Sequence, residues 1–247
     1  MTWTELGWAI IGLGSILLIV FSLAFKKEGR YRPRKQELVN TFLNQRVRAV
    51  EQGKKRLILL GEDFWSQAFP GLGLHALTVL PGLIKFEDIV EGGQVVSAGR
   101  GELVLFARQV IQGRYQEGFS PALHHAMVSL VGFQGFSFTA GLLSELNRDS
   151  PGSLAILGGY GFDSVLWAES VQAKGGHVFA AAGTISAQAA LYLTVRDLLI
   201  GEEVFMLPGL IKPMVGNQAG WTTEDILRLV LIALLILVSL LKAGGIL

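Results

Sequence analysis

The run Ser153-Leu154-Ala155-Ile156-Leu157-Gly158-Gly159-Tyr160-Gly161-Phe162-Asp163-Ser164 decides how the chain is read. Ser153–Leu157 is short and apolar without alternation, which is the pattern of a strand covered on both faces. Glycines follow at once, and a helix-like segment, Phe162–Ala173, comes next. Strand, glycine turn and helix in that order make the first half of a β-α-β unit.

The same alternation extends outward. Upstream lie the strand-like runs Arg56–Leu60, Gln94–Ala98 and Ala126–Val131, each followed by a helix-like segment: Leu72–Leu83, Glu102–Ile111 and Gly135–Leu146. Downstream, a strand at His177–Ala181 precedes a long helix from about Ser186 to Leu199. Strands that read as continuous apolar runs, each followed by a helix, predict an α/β, Rossmann-like domain. Its sheet is mostly parallel, with helices on both faces. Ahead of it, Glu37–Gln52 reads as an amphipathic helix with Leu38, Val39, Phe42, Leu43, Val47 and Val50 on one face, capped by Gly53.

The two ends of the chain are greasier than the middle. Leu6–Phe25 is a run of uncharged residues whose 20 positions would make a helix of about 30 Å, the thickness of a hydrocarbon core. Trp3 and Trp8 sit where an interfacial aromatic belt belongs. Six basic residues and one acid occupy the ten positions Lys26–Lys35, starting with Lys26 and Lys27, and no lysine or arginine precedes the run. That asymmetry predicts an N-terminus outside and a middle domain in the cytoplasm. Ile226–Leu247 reads as a second span. Its charge-free core is short, so Arg228 and Lys242 would have to snorkel outward, with Trp221 at the interface. The expected division is residues 1–25 as a first transmembrane helix and 26–53 as a basic juxtamembrane segment with its linker helix. Residues 54–220 form the α/β domain, and 221–247 a second transmembrane helix.

Composition fits this plan. Apolar residues make up 51 % and charged residues 17 % of 247, with a mean hydropathy of +0.47. These values lie between those of a soluble domain and a polytopic transporter. The net charge of +1 leaves no footprint for nucleic acid. The absence of cysteine excludes disulfides, thiolate metal sites and cysteine nucleophiles.

Chemistry-bearing positions are few. Gly158, Gly159, Gly161 and Ser164 surround a strand-to-helix turn, where glycine permits close backbone approach and a helix start offers N–H groups to an anion. The pattern departs from a dinucleotide fingerprint at Ser164, and Asp163 would repel an anion and serve better as a cap. Gly99 and Arg100 sit at a second such turn, and Gly183 and Thr184 at a third. In a parallel sheet all three turns share the carboxyl edge. His75, His124, His125 and His177 show no metal-ligand spacing and read as structural or interfacial. No serine lies in a nucleophile elbow, no catalytic motif is present and no cofactor is expected. Leu80-Pro81-Gly82-Leu83-Ile84-Lys85 recurs as Leu207-Pro208-Gly209-Leu210-Ile211-Lys212, which reads as two similar helix exits, the second a hinge toward the outgoing span.

The stretch Leu154–Phe205 resembles a family of uncharacterised prokaryotic membrane proteins, domain of unknown function 6754. The likeness rests on the Leu157-Gly158 strand exit, Phe162-Asp163-Ser164-Val165-Leu166-Trp167-Ala168-Glu169, Ala182-Gly183-Thr184, Ala189-Ala190-Leu191-Tyr192-Leu193 and Leu199-Ile200-Gly201-Glu202-Glu203-Val204-Phe205, with Gly73-Leu74-His75-Ala76-Leu77 upstream. The resemblance implies an α/β domain held at a prokaryotic inner membrane and brings no catalytic residue with it. The expected partners are membrane lipids and further copies of the chain, with no nucleic acid. The expected role is that of a membrane-anchored homo-oligomer, a ring or an array, acting as a scaffold. The alternative is a tethered small-ligand or nucleotide module, or an enzyme, using the β-α turns.

Overall fold

Apolar runs too short for helices pair into one sheet of six strands, all parallel: β1 (Arg56–Leu60), β2 (Gln94–Ala98), β3 (Val128–Leu130), β4 (Ser153–Gly158), β5 (His177–Ala182) and β6 (Asp197–Leu198). Their order is β3-β2-β1-β4-β5-β6, the doubly wound Rossmann order, with its reversal between β1 and β4. The computed structural model describes residues 36–61, 71–84, 94–114, 127–133, 135–212 and 215–243, with Trp8, Gly12, Gly14, Ser15, Ile16, Ile19, Val20 and Leu23.

The helices are α1 (Gln36–Glu51), α2 (Leu72–Leu83), α3 (Gly101–Arg114), α4 (Phe136–Asp149), α5 (Ser164–Gln172), α6 (Ile185–Tyr192), α7 (Glu203–Ile211) and α8 (Val215–Ala243). Residues from β1 to Ile211, together with α1, belong to one compact unit, Arg34–Ile211. On one face of its sheet, α4, α5 and α6 bury Phe138, Leu142, Trp167, Val171 and Leu191 against Leu57, Leu59, Leu154 and Ile156. Trp167 is fully buried, with Phe138 and Tyr160 meeting it edge-on at 5.3 and 5.2 Å, the favoured aromatic geometry. The other face carries α2 and α3 over the first strands. Beyond them α1 and α7 cover the remainder, where Phe42 of α1 stacks on Phe179 of β5 at 4.6 Å.

Glycine sets the closeness of the central strands. Gly61 leaves β1 and donates to Leu157 O at 2.7 Å. A Cβ on Gly61 would lie 2.7 Å from Gly159 N, and one on Gly158 would lie 2.9 Å from Gly61 N. Gly158 also holds φ +109, a conformation that favours glycine. One strand further, Gly183 N donates to Gly158 O at 2.8 Å. A Cβ there would fall 2.1 Å from Cδ2 of Leu72, the buried first residue of α2.

Two expectations need correction. The helix expected from Ser186 to Leu199 ends at Tyr192 and is followed by the two-residue strand β6, because an apolar run does not distinguish a helix from a short buried strand. α7 went unread. The repeated Leu-Pro-Gly segments do not end their helices at proline: Pro81 and Pro208 lie inside α2 and α7. The two copies also pack together, with a Cβ on Gly82 falling 2.5 Å from Ile211 Cγ2.

Met1–Pro33 and Lys212–Leu247 form the other unit. There α8 runs for 29 residues, beginning ahead of the expected start at Thr222. Gly14 lies beside it, so that a Cβ would be 3.7 Å from Leu227 Cδ1. Among the described residues no helix is long and apolar enough to cross a membrane. Most of Leu6–Phe25 lies outside those residues, and α8 carries Glu224, Asp225 and Arg228 in its first half.

His75 ties α2 to α7. Its Nε2–H donates to Val204 O at 2.9 Å, and the ring meets Phe205 at 5.2 Å. Burial pushes its pKa below the ordinary imidazole value, with the bond to Val204 opposing the shift. The neutral ring therefore stabilises the fold above the ordinary value, and that contribution is lost as pH falls below it.

Two measurements follow on the purified protein. Gly61→Ala should lower stability by more than about 2 kcal/mol or prevent folding. Gly113→Ala, in open space on α3, should raise it by about 0.5–1 kcal/mol. Equal melting temperatures for the two would refute the packing argument. Stability should also fall as pH drops from about 7 to about 5, with a shallower slope in His75→Gln; an unchanged slope would remove His75 from the cause.

Candidate functional site

The carboxyl edge of the sheet brings together most of the turn residues that the sequence singled out. Glycine at 158, 159 and 161 lets the turn after β4 fold inward, and Tyr160 is placed in the core, 3 % exposed, against Trp167. Ser164 is buried and its hydroxyl donates to Gly161 O at 2.8 Å. The first N–H groups of α5 are also engaged: Ser164 N to Gly161 O, Val165 N to Phe162 O and Leu166 N to Asp163 O. Asp163 makes no side-chain cap, contrary to the expectation for it; its carboxylate accepts instead from the hydroxyl of Thr139 on α4.

The turn after β5 is tied to its neighbour. Thr184 caps α6 by accepting from Ala187 N, and its hydroxyl donates to Tyr160 O. Gln188 clasps the same region, donating to Ala182 O at 2.8 Å and accepting from Gly201 N at 3.1 Å. Gly99 is buried and Arg100 half-buried at the β2–α3 turn, with β1 between that turn and β4. Side chains and carbonyls of the β4 and β5 turns thus bond to one another, while the buried Tyr160 hydroxyl makes no hydrogen bond among the described residues.

Among the described residues this edge presents several large apolar side chains outward. Phe133 and Phe136 are 73 % and 87 % exposed, Phe162 is 69 % and Ile185 74 % exposed, and Leu166 is half-exposed. Phe136, Phe162 and Ile185 stand at or next to the starts of α4, α5 and α6. The Thr139–Asp163 and Thr184–Tyr160 bonds join these starts in a row.

The amino edge is polar. His177 and Asp197, the first residues of β5 and β6, meet through Nε2 and Oδ2 at 2.8 Å. The His177 ring stacks on Phe42 at 6.4 Å, and its Nδ1 is buried with no hydrogen-bond partner. An open groove of about 670 Å³ lies above the pair, walled by Glu37, Thr41 and Gln45 of α1 and by Arg196. Sequence reasoning missed this pair, because no spacing rule joins residues on two adjacent strands and β6 was read as helix. Further along the same edge, burial pushes the Glu145 carboxyl above its ordinary range, and nearby Asp149 adds to the rise. Asp149 is held below its own range by Arg148 and Lys55. Among the described residues no group of three His, Cys, Asp or Glu side chains is placed to hold a metal ion.

Of the expected membrane-anchoring residues, Trp3, Lys26 and Lys27 lie outside the described residues, as do His124 and His125. Trp8 is helical and 74 % exposed, Trp221 is half-buried in α8, and Lys242 is exposed in its last turn. Arg228 is bonded to Glu224 one turn back at 2.8 Å, so its head points away from the apolar stretch Leu229–Leu241.

No curated protein and no solved structure matches the chain. A family model described as "Domain of unknown function (DUF6754)" matches residues 4–245, nearly the whole length. The chain belongs to that family.

Proposed function

We propose that the chain is a membrane-anchored α/β protein that self-assembles into a homo-oligomer, a ring or an array, and serves as a scaffold on the cytoplasmic face. The observation that carries this reading is the row of exposed Phe136, Phe162 and Ile185, flanked by Phe133 and Leu166, on an edge where the side chains of Thr139, Asp163, Ser164 and Thr184 bond within the protein. A doubly wound sheet ordinarily offers its carboxyl edge to a small ligand. Here that edge offers oily side chains, and large apolar patches on a protein surface mark interaction sites. Covering one such phenylalanine is worth about 1.5–3 kcal/mol, and a second copy of the chain offers the same row in return.

Anchoring is supported by the ends of the chain. Ile16, Ile19, Val20 and Leu23 near one end are exposed, as are Leu229, Leu231, Ile232, Leu235 and Ile236 in α8. Such surfaces are stable against acyl chains and costly in water. The basic flank after Phe25 favours the cytoplasm for the unit that follows.

Two experiments test the reading. Phe136→Asp with Phe162→Asp should convert a high-mass particle in detergent to monomer, read by light scattering after size exclusion; an unchanged mass, or a monomeric parent protein, would refute assembly through this edge. Because the chain has no cysteine, Glu51→Cys can be probed alone with a membrane-impermeant thiol reagent. Labelling should require permeabilised cells, and labelling in intact cells would overturn the orientation.

A further inference from the structure

The His177–Asp197 pair sets a problem that packing alone does not answer. A carboxylate is costly to bury, and well-packed apolar side chains are often as stable as a buried ion pair. Asp197 is nonetheless 5 % exposed at the floor of an open groove, and His177 beside it leaves a buried nitrogen without a partner. The groove, about 670 Å³, falls in the size range of small-molecule sites. Its opening is bordered by charges of opposite sign. Glu37 is exposed on α1 and Arg196 is exposed just ahead of β6, and neither makes an ion pair among the described residues. Thr41 and Gln45 add neutral donors and acceptors.

We propose that this amino-edge groove binds a small zwitterion of the amino-acid class. Its ammonium group is taken by Glu37 on the α1 side and its carboxylate by Arg196, a planar fork that suits a carboxylate. The His177–Asp197 pair forms the fixed polar floor. Phe42, stacked beneath His177, holds the imidazole in place. The site lies at the edge opposite the apolar row and does not rest on the assembly reading.

The test is calorimetric titration of the full-length protein in detergent with glycine, L-alanine, L-glutamine and L-lysine in turn. The expected result is saturable binding of at least one of them, weakened at least about tenfold by Glu37→Gln and by Arg196→Gln, because each removes a charge-assisted contact. Both substitutions fall on exposed side chains, so the melting temperature should stay at the parent value. Three results with these ligands would overturn the proposal, and a fourth with a sugar. The three are no binding of any of the four, binding that neither substitution weakens, and equal binding of an amino acid and its N-acetyl methyl ester, which has lost both charges. Preference for an uncharged sugar such as glucose over all four would overturn it too.

Discussion

Backbone against backbone at Gly61, Gly158 and Gly159 is the constraint from which the rest of the molecule follows. β1 and β4 are the strands between which the winding reverses; Gly61 follows β1 directly and Gly158 ends β4. That allows Gly61 to reach Leu157 and Gly183 to reach Gly158, so three strand ends close ranks. Leu72 then fits over Gly183, and α2 starts from that point. In many doubly wound proteins glycines at this place make room for a ligand's phosphates. Here the space they release is filled by the protein itself, with Tyr160 turned into the core.

The two edges of the sheet consequently have different characters. At the carboxyl edge, hydrogen bonds from Thr139 to Asp163 and from Thr184 to Tyr160 stitch helix starts together and leave phenylalanine and isoleucine outward. At the amino edge, charge gathers: His177 with Asp197, and Lys55, Arg148 and Asp149 beside Glu145. Desolvation raises Glu145 while cations lower Asp149. The two carboxyls therefore act in opposite directions on stability as pH changes.

Much of the fold was legible because burial on both faces leaves a plain mark. Arg56–Leu60, Gln94–Ala98 and Ser153–Leu157 are unbroken enough to read as strands, and the glycines after them announce turns. β6 was not legible, since two residues carry no period and Asp197-Leu198 continues an apolar stretch. The strand order was not legible either, because connection lengths alone do not say on which side of β1 the fourth strand lies. Of the turn residues, Gly158, Gly161, Ser164 and Thr184 were found by their local pattern, but their partners were not. Whether a serine at a helix start faces a ligand or its own turn depends on tertiary contacts. His177 and Asp197 escaped because their relation exists only once β5 and β6 are in register, with Phe179 opposite Asp197.

The packing of the two Leu-Pro-Gly copies has a mechanical consequence. Gly82 near the end of α2 meets Ile211 at the end of α7, and Glu37 near the start of α1 borders the amino-edge groove. The chain therefore enters and leaves the α/β unit at one edge, through helices lying on the same half of one face. A pull on both ends loads α1 and α7 first. The hydrogen-bonded ladders from β3 to β6 stand outside that load path, so the unit can yield by peeling two helices while its sheet stays whole.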